Sequence, residues 1–116
     1  CIRGNCDCEV DQMVLQFPIM ADYAALWLNG HMVWATHGHV YNMDNHPPFQ
    51  KGDILLHGHT HIPAAQQFED GYYYINPGSA SIPKAGSRNS YLVLEGSTFT
   101  LKAIEDGSVI SSFTVE

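Results

Sequence analysis

Two short apolar runs in this sequence both end in histidines, and this repetition constrains the fold more than any other feature. Residues 31–36 lead into His-Gly-His at 37–39, and residues 53–56 lead into His-Gly-His-Thr-His at 57–61. Apolar runs of about four to eight residues are typical of buried strands. If the loop between the runs lets the strand ends lie side by side, up to five imidazoles meet in one pocket. Because imidazole is the commonest ligand for zinc-like metals, the repetition predicts a metal site.

The second motif carries its histidines at alternate positions. Side chains two residues apart point to the same side of an extended chain, so His59 and His61 are predicted to hold one ion together or two neighbouring ions. Gly58 would let the backbone turn there without a side-chain clash. The alternative is a polar strand end whose histidines face water or bond to the backbone. For a single histidine this alternative is the commoner outcome, but the repetition favours the metal site.

The rest of the chain is predicted to be mainly β, in a single domain over residues 1–116. This length suits one typical domain, and no linker or repeat divides it. Asn29-Gly30 between two apolar runs predicts a β-hairpin. A helix is predicted over Asp7–Phe17, ended by Pro18. The remaining predictions are a loop over 40–52 with one helical turn near 48–51, and strands at 64–68, 72–75, 91–95, 98–105 and 109–115.

Composition excludes two broad classes of function. A formal net charge of −7 with only five lysines and arginines predicts no extended nucleic-acid surface, because such a surface must be basic. No apolar stretch approaches the roughly 18 residues that a membrane span needs. Three cysteines within the first eight residues leave an odd number, which speaks against a secreted disulfide framework. We therefore expect a soluble protein of the reducing cytoplasm.

Two further motifs have more than one interpretation. Residues 3–7, Arg-Gly-Asn-Cys-Asp, place an amide oxygen and a carboxylate at a turn that opens the predicted helix, where Asn5 or Asp7 could equally be the helix cap. Residues 76–79, Asn-Pro-Gly-Ser, follow a predicted strand and could form a structural turn or the wall of a pocket. A zinc site at Cys6 and Cys8 has no Cys-x-x-Cys pair to support it.

The sequence resembles the calcineurin-like metallophosphoesterases, and within them the small bacterial phosphodiesterases of the YfcE type. The resemblance rests on four motifs that occur in the family's order, at residues 4–7, 36–39, 58–61 and 76–79. The resemblance extends over nearly the whole chain. It implies an α/β (α+β) fold class, in which this chain forms the C-terminal, mainly β part of a four-layer α/β/β/α sandwich. It also implies a metal-dependent phosphoesterase, most specifically a phosphodiesterase that hydrolyses small phosphodiesters or nucleotides through a hydroxide activated by two metal ions.

The resemblance implies roles for individual residues as well. His39 would lie just outside the metal ligands and face the phosphate. Cys6 stands where much of the superfamily has a histidine and the YfcE-like branch has a cysteine. The acid catalyst would therefore be Cys6, acting weakly, or His39. The implied metal ligands are Asn5, His37 and His59 for one ion and His61 for the other.

The implied ligand set also indicates which metal the site would hold and which functions other than catalysis are possible. Imidazole outnumbers carboxylate, which favours a transition metal over Mg²⁺. The resemblance implies two divalent transition-metal ions, with Mn²⁺ first and Zn²⁺, Ni²⁺ or Fe as alternatives. The family opens with an Asp-x-His strand end and a Gly-Asp strand end, which supply the remaining ligands and a bridging carboxylate, and neither precedes Gly4 here. A metal-binding protein-interaction scaffold of the same fold and an inactive truncated fragment are therefore open alternatives. The expected partners are a small phosphodiester and, in a homo-oligomer, other copies of the chain.

Overall fold

The computed structural model describes residues 1–116 as one short helix and eight strands. No helix has the length and apolar character that crossing a membrane requires. The mixed, mainly β fold class predicted from the sequence is confirmed, whereas the assignment of residues 1–116 to a single domain stays a prediction. The elements are α1 Glu9–Val14, β1 Tyr23–Leu28, β2 His31–Thr36, β3 Ile54–His57, β4 Ala64–Gln67, β5 Tyr73–Asn76, β6 Ser90–Glu95, β7 Thr98–Ala103 and β8 Val109–Thr114.

The strands form two sheets. The larger has the order β1-β2-β3-β5-β4, in which β2, β3 and β5 run parallel and the outer strands β1 and β4 are antiparallel to their neighbours. The smaller is the antiparallel sheet β6-β7-β8. Parallel strands end at the same sheet edge, so the C-terminal ends of β2 and β3 lie side by side. Both histidine motifs begin at these two ends.

The hydrophobic core joins the two sheets. Its buried cluster takes Val33, Ile54, Tyr73 and Ile75 from the larger sheet, and adds Phe99 and Val115 from the β7 strand and the chain end. Beside this cluster lies an open cavity of about 870 Å³. Its walls are mostly apolar and come from both sheets, including Leu26, Leu28, Leu56, Leu92 and Leu94. The cavity reaches the sheet edge that carries the histidines.

The predicted hairpin is confirmed, because Asn29 and Gly30 both have positive φ (51° and 85°) in the two-residue turn between β1 and β2. The predicted helix over Asp7–Phe17 is too long. Cys8 is its N-cap, and the Asp11 carboxylate accepts a hydrogen bond from the Cys8 amide (2.9 Å). The helix already ends at Val14, since the next residue is extended. None of its residues is buried, so no packing contact prolongs it.

Two other local predictions differ from the structure. The helical turn near 48–51 is absent, because tight turns replace it: the Phe49 amide donates to the Pro47 carbonyl (2.7 Å) and the Asp53 amide to the Gln50 carbonyl (2.9 Å). The strand predicted over 98–105 ends at Ala103, where the carbonyl accepts from the Gly107 amide (2.9 Å) and closes a turn. Both differences arise where a local turn hydrogen bond competes with regular structure.

Candidate metal centre

The pairing of β2 with β3 brings the two histidine motifs together. Thr36 is the register partner of His57, and the Gly58 amide donates to the His37 carbonyl (3.0 Å) just beyond the paired strands. Three imidazoles then cluster at the sheet edge, with ring centroids 5.1 Å apart for His37 and His39, 5.0 Å for His37 and His59, and 6.5 Å for His39 and His59. The predicted meeting of the two motifs is therefore present in the fold.

Gly38 allows this close approach. Its φ is +114°, and a Cβ added to it would lie 2.7 Å from Nδ1 of His57 and 3.0 Å from Cβ of His59. No side chain fits in that space, because real Cβ contacts are longer. The glycine between His37 and His39 thus lets the turn after β2 rest directly on the end of β3.

His59 and His61 do not follow the geometry expected of an extended chain. Strand β3 ends at His57, and both later histidines have left-handed φ values of 67° and 62°. The prediction that strand alternation aims these two rings is therefore wrong. The His61 ring is instead placed by a 2.7 Å hydrogen bond between Nδ1 and the Ile82 carbonyl. Because a carbonyl only accepts, Nδ1 carries the proton and Nε2 keeps the lone pair that a metal requires.

His57 belongs to the interior and not to the cluster. It is 4% exposed, and its ring lies 4.8 Å from that of Tyr74. Its Nδ1 donates to the Gly58 carbonyl (2.9 Å), whereas its Nε2 is buried without a hydrogen-bond partner. Of the five imidazoles expected to share one pocket, three cluster directly, and His61 is near enough for its charge to act on His37. The buried His57 ring packs against Tyr74.

The N-terminal motif lies against the same cluster. Gly4 lies next to His37, because a Cβ added to it would be in ordinary van der Waals contact with Cδ2 of that ring, at 3.4 Å. The Asp7 carboxylate accepts from the Gly4 amide (2.7 Å), so it closes this turn and does not cap the helix. Asn5 and Cys6 are exposed and line the large cavity together with His37. Helix capping by Asn5 or Asp7, the alternative interpretation of this motif, is wrong because Cys8 has that position.

The environment of His37 favours a neutral imidazole. Burial lowers its pKa most, the neighbouring rings of His59 and His39 lower it further, and the Asp7 carboxylate partly opposes them. Neutral imidazole is the form that binds metals. The sequence alone could not predict that Asp7 acts on the pKa of His37. This effect depends on where the turn places the carboxylate, and the same residue pattern is equally typical of a helix cap.

The donor set has the chemistry of a transition-metal site. Imidazole nitrogens suit such ions. However, no group of three or more His, Cys, Asp or Glu side chains is already arranged around a common ion position. Nδ1 of His37 and Nδ1 of His39 instead lie 3.1 Å apart and hydrogen-bond each other. The candidate centre therefore comprises Asn5, His37, His39, His59 and His61. Which of these residues bind a metal ion stays a prediction.

The stability of the metal-free chain is expected to fall as the pH is lowered below 6.5, the ordinary pKa of histidine. Burial lowers the pKa of His57, and the charge of His59 contributes in the same direction, although the hydrogen bond to Gly58 opposes them. Between the lowered pKa and 6.5 the unfolded chain binds more protons than the folded chain. Protons therefore favour unfolding in that window.

Urea denaturation in EDTA at several pH values between about pH 8 and pH 5 measures this effect. His57→Phe keeps an aromatic ring against Tyr74 and removes the titrating group. Its free energy of unfolding should depend less steeply on pH than that of the wild type. Equal slopes for the two proteins would contradict the role given to His57.

Comparison with known proteins places this geometry in a family. Residues 1–98 match the calcineurin-like phosphoesterase superfamily domain. Phosphodiesterase YfcE of Escherichia coli (strain K12) is 41% identical over 114 residues, which cover 98% of this chain and 61% of YfcE. The probable metallophosphoesterase YsnB of Bacillus subtilis (strain 168) is 28% identical over 100 residues, which cover 80% of this chain and 54% of YsnB. The chain thus spans less than two thirds of these relatives.

Solved structures agree with the sequence comparison. The Escherichia coli phosphoesterase YfcE superposes with a TM-score of 0.92 at 41% identity, over 99% of this chain and 63% of YfcE. Vps29 complexed with Zn²⁺ from Entamoeba histolytica gives a TM-score of 0.55 at 20% identity, over 87% of this chain and 64% of Vps29, and shows a shared fold alone. The family match contains all four motifs singled out in the sequence. The chain belongs to the calcineurin-like phosphoesterase superfamily.

Proposed function

We propose that this chain carries a transition-metal centre of a phosphoesterase that hydrolyses small phosphodiesters. The observation that carries the proposal is the cluster of His37, His39 and His59 at one sheet edge, with ring centroids within 6.5 Å of one another. Membership of a metal-dependent phosphoesterase superfamily supports it. The identity with a phosphodiesterase, 41% over nearly the whole chain, supports the substrate class.

In the proposed centre, Asn5, His37 and His59 hold one divalent ion, and His61 contributes to a second. When bound, such an ion lowers the pKa of water and offsets negative charge on a phosphate group. A lowered pKa keeps His37 neutral and able to bind near neutral pH. The fixed tautomer of His61 supports its role, because its Nε2 stays unprotonated in the neutral ring. Imidazole donors favour a transition metal over Mg²⁺. Mn²⁺ is proposed first, with Zn²⁺, Ni²⁺ or Fe as alternatives, on the resemblance to the family and not on the donor chemistry.

His39 and Cys6 are proposed to handle protons at this centre. The half-buried His39 ring shares a hydrogen bond with His37 through Nδ1. In the tautomer in which Nδ1 of His39 accepts, Nε2 carries the proton that a leaving alkoxide needs. Cys6 is exposed at the cavity rim and carries a weaker acid group. A substrate whose leaving group needs little protonation, such as an aryl phosphodiester, suits this arrangement.

A metal titration of the chain tests the proposal. Isothermal titration with Mn²⁺ and Zn²⁺ should show binding to the wild type and at most weak binding to His59→Ala, because one imidazole of the cluster is lost. His46→Ala is the matched control: its ring stacks on Phe49 in the loop between β2 and β3, away from the cluster. It should bind as the wild type does.

Hydrolysis of an aryl phosphodiester in the presence of Mn²⁺ then separates an enzyme from a binding scaffold. An enzyme should lose its activity in His59→Ala and keep it in His46→Ala. A chain that binds the ion but hydrolyses nothing would favour the scaffold. Equal metal binding by the wild type and His59→Ala would overturn the proposed centre itself.

A further inference from the structure

Asn76, the last residue of β5, is the most completely buried polar side chain of the fold, with 1% of its surface exposed. Its Nδ2 lies 3.2 Å from the Gly58 carbonyl oxygen, 3.0 Å from Oγ1 of Thr60 and 3.0 Å from the hydroxyl of Tyr74. Its Oδ1 accepts from the Gly78 amide (2.9 Å). Both ends of this one carboxamide are therefore used within the protein.

The sheet register explains why Asn76 reaches the histidine motif. Leu56 and Ile75 are partners in the parallel pairing of β3 with β5, so Asn76 lies one residue beyond, where β3 passes into its terminal turn. From there the Nδ2 group bonds Gly58 and Thr60, the two residues that flank His59. The amide thus connects both sides of His59 to the rigid end of a neighbouring strand.

The turn that Asn76 contacts has an unfavourable backbone conformation. His59 and His61 have φ values of 67° and 62°, a region that residues with a Cβ rarely adopt. Such conformations persist only where the surroundings hold them. Within the turn itself, one backbone hydrogen bond from the Thr60 amide to the Gly58 carbonyl (2.8 Å) contributes. Asn76 supplies two more bonds to the same segment.

We propose that Asn76 is a positioning residue: through Gly58 and Thr60 it holds His59 and His61 in the left-handed turn from which their rings reach a metal ion. The part that concerns the metal rests on the proposed function. The part that concerns the turn does not, because it can be observed in the metal-free protein.

Asn76→Leu tests this role, because leucine is close to asparagine in shape but offers no hydrogen bond. In the metal-free full chain, the backbone ¹³C shifts of His59 and His61, which report φ, should move away from their left-handed values. Mn²⁺ and Zn²⁺ should bind about 10- to 100-fold more weakly, as is usual when a hydrogen-bonding support of a metal ligand is removed.

Tyr74→Phe is the matched control. It removes one acceptor of the same Asn76 amide, keeps the ring against His57, and leaves the bonds to Gly58 and Thr60 intact. Its urea midpoint should fall, but its metal affinity and the shifts of His59 and His61 should remain those of the wild type. If both variants weaken metal binding alike, Asn76 is merely structural and the proposal fails.

Thr60→Val provides a second route if Asn76→Leu does not fold. It preserves side-chain shape but removes the exposed Thr60 hydroxyl, which accepts from the Asn76 amide (3.0 Å) and also from the Ile62 backbone amide (3.3 Å). The same shift changes and a smaller loss of affinity are expected, and unchanged shifts would overturn the proposal. A wild type that binds no metal would refute the proposed function, while the ¹³C shifts of the variants would still decide the role of Asn76.

Discussion

Replacing Gly38 with alanine is expected to destabilise the chain by about 2 to 4 kcal/mol and to abolish metal binding. The methyl group would lie 2.7 Å from Nδ1 of His57 and 3.0 Å from Cβ of His59, so the ends of β2 and β3 would have to separate. The positive φ of Gly38 adds a backbone cost, because residues with a Cβ rarely adopt it. Urea denaturation measures the first effect and isothermal titration with Mn²⁺ the second.

Gly107→Ala separates the two causes. Gly107 also has a positive φ, 72°, but an added Cβ would meet no atom within 4 Å. The free energy of unfolding of this variant should fall only by the backbone cost of a positive φ, on the order of 1 kcal/mol. Its metal binding should equal that of the wild type. Equal losses of stability in the two variants, with metal binding retained in both, would show that the contact of Gly38 with the histidine motif has no consequence.

Replacing Phe99 with alanine is expected to cost about 3 to 5 kcal/mol, the usual loss for a phenylalanine removed from a core. Phe99 is 3% exposed and brings the smaller sheet into the buried cluster with Val33, Ile54 and Ile75. Both tryptophans, Trp27 and Trp34, belong to the larger sheet. Their fluorescence therefore reports on a sheet that does not contain the substitution, whereas far-UV circular dichroism reports on both sheets.

The two signals together test whether residues 1–116 form a single domain. Phe99→Ala should shift the urea midpoints of fluorescence and circular dichroism by the same amount, because the sheets share one core. Ile104→Ala is the control: this side chain is 47% exposed, and its loss should change stability by no more than about 0.5 kcal/mol. A fluorescence midpoint that stays constant in Phe99→Ala would mean that the sheets unfold independently.

The strands were predictable because their signals are local. Asn29-Gly30 specifies a two-residue hairpin turn, and the apolar runs before His37 and His57 are long enough for buried strands. The meeting of the motifs was predicted on the condition that the loop lets the two strand ends lie side by side, and the parallel pairing of β2 with β3 meets that condition. For these features, short-range residue preferences and the tertiary structure agree.

The orientation of the histidines was not predictable, because it depends on distant partners. The left-handed φ values of His59 and His61 are not preferences of histidine. The Asn76 amide and the Ile82 carbonyl constrain this turn, and both lie well beyond the motif in sequence. An extended strand was the simplest expectation without those contacts. The burial of His57 likewise depends on the Tyr74 ring, which the parallel β3–β5 pairing brings beside it.

The helix was predicted too long for a different reason. Val10, Met13 and Val14 recur at helical spacing, which indicates an amphipathic helix that packs by its apolar face. In the fold these side chains are 65%, 84% and 77% exposed. A short helix without packing contacts is marginal, so only the segment capped by Cys8 remains helical.

The parallel pairing of β2 with β3 also bears on the order of folding. Parallel strands cannot be joined by a tight turn, and here the connection runs through residues 37–53. The entropy of ordering that long connection is lost before the strand contacts compensate for it, so this pairing forms more slowly than the β1–β2 hairpin. His37 and His59 come together only after the slower step. The candidate metal centre therefore forms only with this pairing, later than the hairpin.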